Sequence, residues 1–338
     1  MTRPKKKLSG RTVKQRNRIS ITYSHRHGVH VQGTVLWMDG FPPHGLGFLS
    51  NAHVRISQGT AKMVATKTTV ALAGLPEHSV LISPYDRIFA IGKLDLELFP
   101  SGHIPGSAAL LVRWDKGSFI YTGSFNPKGA AGEETCQVRR SDVLIMESRY
   151  GHPDFVFPQD RVEILESLVE KCKELVAVDR TPVLLVSRPL GKAQVIAEKL
   201  DKGGIPVQAH HRVTEGSRRL RKLGYPTGNP RRLNTSKPVE GAVIWLATAH
   251  KAPSLKKLKN PIFILVSGEA IRPQATSRLG AEDSVILSDD ADFPSIVNYV
   301  ERVGARRVAL LPGRAHILAD HLPNKDVEIL EPTQLSMF

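Results

Sequence analysis

The residues best suited to recognition chemistry in this chain form two blocks of Lys and Arg. Residues 1–38 contain nine basic residues and no acid, and residues 212–259 contain twelve basic residues against Glu215 and Glu240. The net charge is +15, so the blocks contribute +9 and +10 and the remaining residues −4. Such blocks on a mildly acidic body are typical of surfaces that follow phosphates, because each neutralised phosphate releases counterions. Nucleic acid is therefore the first predicted partner. The alternative is a solvated tail and a solubilising face.

The second block contains the predicted nucleic-acid-binding residues, which share a basic side chain on a short helix, the following loop or a later short stretch. They are Arg218, Arg219, Arg221, Lys222, Arg231, Arg232, Lys256, Lys257 and Lys259. Tyr225 and Trp245 are the aromatic residues of this region. Contact with the phosphate backbone is therefore expected to outweigh base stacking.

The apolar pattern predicts how these residues are positioned. From Val29 to Met146, short β-like runs are separated by Gly and Pro, which predicts a strand-rich part. From Gln159 onward, segments with helical spacing alternate with short apolar runs, which predicts βαβ units with parallel strands. A third section, from Ser284, again alternates strands and helices.

Composition narrows the class of protein. No run approaches the ~18 to 20 apolar residues of a membrane span, and the N-terminal residues lack the apolar core of a signal peptide. No membrane partner is therefore expected, and the predicted location is cytoplasmic, in association with the nucleoid. Cys136 and Cys172 are too few for a disulfide framework and are interpreted as reduced thiols.

A series of segments resembles, in order, the motifs of the bacterial ligase-associated DNA exonucleases. These are metallo-β-lactamase-fold proteins of the β-CASP group. The resemblance is carried first by FPSGHIPGSA, FIYTGSF and VLIMESRYG, and then by WMDG, LSNAHVRI, RPLGKAQVIAEKL, VSGEA, SDDADF and LLPG. It covers most of residues 31–322. It implies an α/β fold in which a metallo-β-lactamase αββα sandwich carries an inserted β-CASP α/β domain.

The resemblance also implies a chemistry. Enzymes of this family hydrolyse phosphodiesters with two divalent metals ~3.5 to 4 Å apart, held by neutral imidazoles and by carboxylates, one of which both metals share. This chain departs from the pattern at most of those positions. The groups that replace the expected ligands are Asn51, Arg55, Ile56, Ser124, Asp290 and Pro312, with Ser124 in place of the bridging carboxylate.

Five potential ligands survive, namely Asp39, His53, His103, Glu147 and Asp290. Arg55 argues against a metal among them, because a guanidinium is effectively never deprotonated. The hypothesis is that Arg55 supplies the lost positive charge and pairs with Asp39, Glu147 or Asp290. No cofactor is then expected. The alternatives are one zinc or manganese ion at His53, His103 and Asp290, or histidines that only hydrogen-bond within the core.

The last five residues resemble the peptide by which bacterial proteins bind the sliding clamp. The match runs over Gln334, Leu335, Ser336, Met337 and Phe338, where Pro332 favours an extended exit. Leu335, Met337 and Phe338 would fill an apolar groove of the clamp. The alternative is that these side chains pack on their own domain.

The predicted organisation has five parts. These are a disordered basic arm (1–28), the first part of the metallo-β-lactamase domain (29–158), the β-CASP insertion (159–272), the second part of that domain (273–330) and a clamp-binding tail (331–338). The predicted function is a catalytically inactive exonuclease-like protein that binds DNA and is recruited to the clamp during repair. The alternatives are an active metal-dependent DNA or RNA nuclease with one metal, and a scaffold for other repair proteins.

Overall fold

The computed structural model describes residues 19–54, 62–129 and 134–332. Its strands, in chain order, are β1 (Ile21–Ser24), β2 (Gly28–Val31), β3 (Leu36–Met38), β4 (Leu46–Phe48), β5 (Lys62–Ala65), β6 (Val80–Ile82), β7 (Ile88–Ile91), β8 (Leu94–Pro100), β9 (Ala108–Trp114), β10 (Gly117–Tyr121), β11 (Val143–Met146), β12 (Thr181–Val186), β13 (Val207–Ala209), β14 (Arg231–Arg232), β15 (Ala242–Leu246), β16 (Pro261–Val266), β17 (Asp283–Val285), β18 (Arg307–Leu310) and β19 (Asp326–Ile329).

The α-helices are α1 (Lys67–Ala73), α2 (Arg161–Ala177), α3 (Lys192–Lys202), α4 (His211–Lys222), α5 (Pro273–Arg278), α6 (Phe293–Val303) and α7 (Ala315–Asp320). Short 3₁₀ turns cover Glu77–Ser79, Ala247–Ala249, Leu255–Lys257 and Gly268–Ile271. The protein is thus mixed α/β, as the sequence predicted. No helix in the described ranges is both long and apolar enough to cross a membrane.

Two sheets pack face to face. The first has the order β1-β2-β3-β4-β5-β6, and the second has the order β19-β18-β11-β10-β9-β8-β7. Met38 and Phe48 of the first sheet meet Leu98, Leu110 and Phe119 of the second in one buried cluster. Burial of these apolar faces contributes the largest favourable share of the folding free energy.

Helices cover the outer faces of both sheets. Val70 of α1 packs on the first sheet, and Tyr299 of α6 and Leu318 of α7 pack on the second. The layers are therefore helix, sheet, sheet, helix. The apolar pattern of the sequence did not predict α1. Its ends are set by Thr66, whose side chain accepts from the backbone N–H of Thr69, and by Gly74, which adopts the left-handed conformation.

A third sheet is built from the residues between β11 and β18. Its strands lie parallel in the order β14-β13-β15-β12-β16-β17. Both of its faces are covered, because Leu184 and Val186 face α2 and α3 while Val183 and Leu185 face the 3₁₀ turn Leu255–Lys257. Burial on both faces explains why β12 is a continuous apolar run.

Two predicted boundaries are wrong. The arm predicted over residues 1–28 includes β1, because Ile19 and Ile21 are buried in the cluster between the two sheets. Residues 1–18 lie outside the described ranges. The insertion predicted to end at 272 extends further, because β17 pairs with β16 as an edge strand of the third sheet.

Substitution of Gly123 tests how closely the two sheets approach each other near the candidate site. It has a φ of +56°, and a Cβ there would lie 2.4 Å from the Ser50 Oγ. We expect Gly123→Ala to destabilise the fold by about 3 kcal/mol or more, since a clash adds to the cost of left-handed backbone. The matched control is Gly92→Ala, with a φ of +60° and open space around the Cβ, which should cost about 1 kcal/mol. Equal losses in urea denaturation would contradict the close contact.

Candidate functional site

Most of the site residues predicted from the sequence lie in loops at one end of the two facing sheets. Asn51 and His53 follow β4, His103 follows β8, Ser124 follows β10 and Glu147 follows β11. Asp290 reaches the same place from the loop before α6. Pro312 is exposed in the turn after β18. Arg55 and Ile56 lie outside the described residues, so the pairing proposed for Arg55 stays a prediction.

Asp39 is fully engaged in holding the two sheets together. Its Oδ1 accepts from the Ser50 backbone N–H at 2.8 Å, and its Oδ2 accepts from the Ser50 hydroxyl at 2.5 Å and the Tyr121 hydroxyl at 3.0 Å. Burial raises the pKa of Asp39, and these hydrogen bonds oppose that rise. Asn51 continues the network, because its Nδ2 donates to the Ser50 Oγ and its Oδ1 accepts from the His53 backbone N–H. Asp39 and Asn51 therefore act as internal braces.

His103 and Asp290 form a buried pair. The His103 Nδ1 lies 2.9 Å from the Asp290 Oδ1 and 3.0 Å from the Asp289 carbonyl oxygen. Since both neighbours are acceptors, Nδ1 carries the hydrogen. Burial disfavours the imidazolium, but the carboxylate of Asp290 outweighs burial and raises the pKa of His103. The other Asp290 oxygen, Oδ2, accepts from the Arg149 guanidinium at 3.2 Å.

His53 lies beside this pair, with its ring centroid 5.3 Å from that of His103. Burial, followed by the charges of His103 and Arg188, lowers the pKa of His53 well below its usual value, so the ring is neutral at pH 7. The Nε2 atoms of both histidines are buried without a hydrogen-bond partner. In each imidazole, Nε2 is therefore the nitrogen that a ligand or a metal ion could still contact.

Glu147 is the least satisfied carboxylate of the site. The Ser124 hydroxyl donates to its Oε2 at 3.2 Å. Burial, and then the negative charge of Asp290, raise the pKa of Glu147 to about 7, against the opposing effect of His103 and two arginines. Ser124 thus gives Glu147 only one long hydrogen bond.

Two further cations lie close to these carboxylates and were not singled out from the sequence. The Arg188 charge lowers the pKa of both Glu147 and Asp290. Lys192 is only 4% exposed, and its Nζ lies 3.3 Å from the Ser187 hydroxyl. Together with Arg149, these side chains supply positive charge that a metal ion would otherwise provide.

These donors do not fit the family's two-metal centre. Among the described residues, no three His, Cys, Asp or Glu side chains come together so as to hold a metal ion. The oxygens of Asp39 are occupied by Ser50 and Tyr121, and those of Asp290 by His103 and Arg149. Asp290 instead occupies the position behind His103 from which a carboxylate orients an imidazole. The Nε2 atoms of His53 and His103 have no hydrogen-bond partner, and the positive charges of Arg188 and Lys192 act on His53.

A cleft of about 840 Å³ opens next to His53. One wall is formed by the loop after β4 and by α1, and the other by residues that follow β12, β13 and β15 of the third sheet. Its basic lining residues are His53, Arg188, His211, Arg212 and Arg219. Arg188 and Arg212 have no ion-pair partner among the described residues. The sequence signal that could have identified Arg188 is its position just after a predicted strand. For Arg212 it is the position at the start of a helix.

The predicted basic block does not form a single surface in the structure. Arg218 and Arg219 on α4 both pair with Glu215, and Arg221 donates to the Gly228 carbonyl and Asn229. The remaining residues are exposed: Lys222 on α4, Arg231 and Arg232 on the edge strand β14, and Lys256, Lys257 and Lys259 near the 3₁₀ turn Leu255–Lys257. That turn packs on the face of the third sheet opposite to α4. Lys259 pairs with Asp179.

Comparison with known proteins finds relatives but no matching family model. The chain is 28% identical over 324 residues to a protein named probable DNA ligase from Opitutus terrae, which covers 92% of this chain and 31% of that protein. It is 29% identical over 133 residues to RNase aCSPSF2 from Saccharolobus solfataricus, covering 38% of this chain and 26% of that protein. It is 36% identical over 103 residues to probable RNase MJ4 from Methanocaldococcus jannaschii, covering 27% of this chain and 23% of that protein.

The chain thus spans about a quarter to a third of the length of these relatives. One relative has the name of a DNA ligase and two have names of RNases. These names support the resemblance to the β-CASP group that the sequence motifs indicated.

The raised pKa of Glu147 predicts a pH-dependent stability. A carboxyl whose pKa is about 7 in the folded state but ordinary in the unfolded state favours folding at low pH. That contribution is lost as the pH rises through about 7. We expect Glu147→Gln to stabilise the protein by about 2 kcal/mol at pH 8 and to change little at pH 5. Urea denaturation at both pH values measures this, with the exposed Glu166→Gln as control. An equal effect of Glu147→Gln at both pH values would contradict it.

Proposed function

We propose that the chain is a nucleic-acid-binding member of the metallo-β-lactamase-fold β-CASP group, related to the bacterial ligase-associated DNA exonucleases, that does not carry out two-metal hydrolysis. One observation carries the proposal. Asp290, which stands where the family carries a metal-binding histidine, has one carboxylate oxygen beside His103 and the other beside Arg149. The helix, sheet, sheet, helix layers and the inserted third sheet support the family.

The basic charge supports binding. A phosphate backbone that enters the cleft would meet Arg188 and Arg212, and the exposed Lys222, Arg231 and Arg232 extend the basic surface from the third sheet. Electrostatic contact of this kind is largely independent of base sequence. Similarity of almost the whole chain to a protein named probable DNA ligase supports DNA as the polymer. The RNase names of other relatives support RNA as the competing choice.

A nuclease that uses one metal is the second candidate function. The open Nε2 atoms of His53 and His103 favour it. Asp290, the third ligand of that scheme, would have to leave both His103 and Arg149 to contribute an oxygen. Two imidazoles beside Arg188 and Lys192 make a weak cation site, since like charges repel.

Metal content and nuclease activity, measured on the same sample, test the proposal. We expect no stoichiometric zinc or manganese by elemental analysis. We also expect no cleavage of single- or double-stranded DNA or of RNA above that of a His53→Ala/His103→Ala control, with Mn²⁺ or Zn²⁺ added. Binding should weaken steeply as salt is raised. Stoichiometric metal, with cleavage that the double variant abolishes, would establish the one-metal nuclease instead.

Recruitment by the sliding clamp is a separate part of the proposal and rests on Gln334, Leu335, Ser336, Met337 and Phe338, which lie outside the described residues. We expect deletion of these five residues to abolish binding to a bacterial sliding clamp and to leave DNA affinity unchanged, because the tail presents its apolar side chains independently of the cleft. Clamp titrations by calorimetry measure this. A deletion variant that binds the clamp as tightly as the full chain would end the assignment. Pulldown with and without nuclease digestion separates clamp or DNA recruitment from a pure scaffold for other repair proteins.

A further inference from the structure

The cleft lies at the point of the third sheet where ligand sites form in parallel α/β structures. From β12 the chain crosses through α3 on one face of the sheet to β13, whereas from β15 it crosses by the opposite face to β16. β12 and β15 are neighbours in the sheet. When adjacent strands send their connections to opposite faces, a crevice opens outside their carboxyl ends.

The residues that end these two strands line the cleft. Ser187 and Arg188 directly follow β12, and Leu246 and Thr248 lie at the end of β15. The order of the strands thus places Arg188 at the crevice, and this observation does not depend on the charge of its side chain. It also points the cleft toward His53 on the facing wall.

Arg188 and Arg212 differ from the other arginines around the cleft, because neither has an ion-pair partner among the described residues. Arg219 donates to Glu215 and to the Leu72 carbonyl oxygen, so its donors are used in joining α4 to α1. Arg149 is used by Asp290. Arg188 is half-buried and has no carboxylate partner among the described residues. Its charge acts on Glu147 and Asp290, but no described carboxylate takes up its N–H donors, so these donors can bind an anion.

The size and lining of the cleft indicate which kind of anionic ligand it would bind. About 840 Å³ suits a few nucleotides of one strand. Its lining combines Arg188 and Arg212 with apolar groups such as Leu72, Pro189 and Leu190, and its acidic residue, Glu215, is paired with Arg219. A phosphodiester strand with partly unstacked bases offers both the charge and the apolar surface that this lining requires.

We infer that Arg188 holds a phosphodiester group of a single strand at the floor of the cleft, taking over with its guanidinium the contact that the family makes with metal ions. Two parallel N–H donors match two phosphate oxygens, and the contact needs no metal. Arg212, in the first turn of α4, is placed to meet the neighbouring phosphate. The inference rests on the proposed binding function.

The test is the affinity of the full chain for a short labelled oligothymidylate in EDTA, measured by fluorescence anisotropy over a range of salt concentrations. We expect Arg188→Ala to weaken binding about tenfold and to reduce the slope of log K against log salt by about 0.7, the value for one phosphate of a single strand. Arg188→Lys keeps the positive charge but loses the two parallel N–H donors of the guanidinium. It should therefore keep most of the salt slope and bind more tightly than Arg188→Ala but less tightly than the unmodified chain.

The matched control is Arg180→Ala. Arg180 is exposed and precedes β12, whereas Arg188 follows it. The two therefore lie at opposite ends of one strand, roughly 20 Å apart at ~3.3 Å per residue. Both substitutions remove one positive charge. Arg180→Ala should change the affinity by less than about twofold, since exposed charges at this distance are largely screened.

The outcomes are distinguishable. If the unmodified chain does not bind the oligonucleotide, the proposed function fails. If it binds but Arg188→Ala binds equally well, or if Arg180→Ala loses as much, the inference about Arg188 fails alone. Binding that EDTA abolishes would assign the contact to a metal and overturn it. Thermal melting checks that each variant folds. If Arg188→Ala does not fold, Arg188→Gln replaces it, with the same expected loss of salt slope.

Discussion

The contact on which the site depends joins Asp290 to Arg149 on one oxygen and to His103 on the other. Asp290 lies in the segment by which the chain returns from the third sheet to the second, whereas Arg149 lies where the chain leaves the second sheet. Its neighbours make similar links. Asp289 accepts from the Lys192 backbone N–H and from Arg161, and Asp292 pairs with Lys128. A buried carboxylate that loses its partner costs several kcal/mol, so these contacts fix how the third sheet attaches to the facing sheets.

The same contacts explain the electrostatics of the site. Positive charge comes from side chains attached at fixed points, so it cannot be distributed equally among the carboxylates. Asp290 receives a guanidinium and an imidazole, and these lower its pKa despite its burial. Glu147 receives only a hydroxyl, and its pKa rises. A bound metal pair would serve both carboxylates at once. The opposite pKa shifts of these two neighbouring carboxyl groups therefore follow from their different fixed partners.

The sequence predicted the class of fold and most of its elements because burial on one or both faces leaves a periodic apolar pattern. It failed where no such pattern exists. Helix α1 is too short for its apolar residues to show a clear helical period, although Thr66 and Gly74 mark its ends by local hydrogen bonds. β1 was taken for part of a basic arm because Ile19 and Ile21 are isolated apolar residues among polar ones.

The candidate site shows the same limit. The motifs placed His53, His103, Glu147 and Asp290 together, and the structure does bring them together. The motifs could not reveal that Asp290 lies behind His103, nor that Arg188 and Lys192 bring positive charge to the site. Those contacts join segments that are far apart in the sequence, and no motif spacing relates them. Similarly, a run of positive residues in the sequence does not show on which face of a sheet each residue will lie. The basic block of residues 212–259 is divided between two faces of the third sheet and partly consumed by Glu215 and Asp179.

The side chains that hold the two facing sheets together are different from those that line the cleft. Asp39, Ser50 and Tyr121 hold the facing sheets by hydrogen bonds that include no open ligand position. The groups that line the cleft belong largely to other loops, at the carboxyl ends of β12, β13 and β15. Ser124 belongs to neither set, since its hydroxyl donates to Glu147. Because the braces between the facing sheets and the cations of the cleft are different side chains, a substitution in one set leaves the contacts of the other set in place.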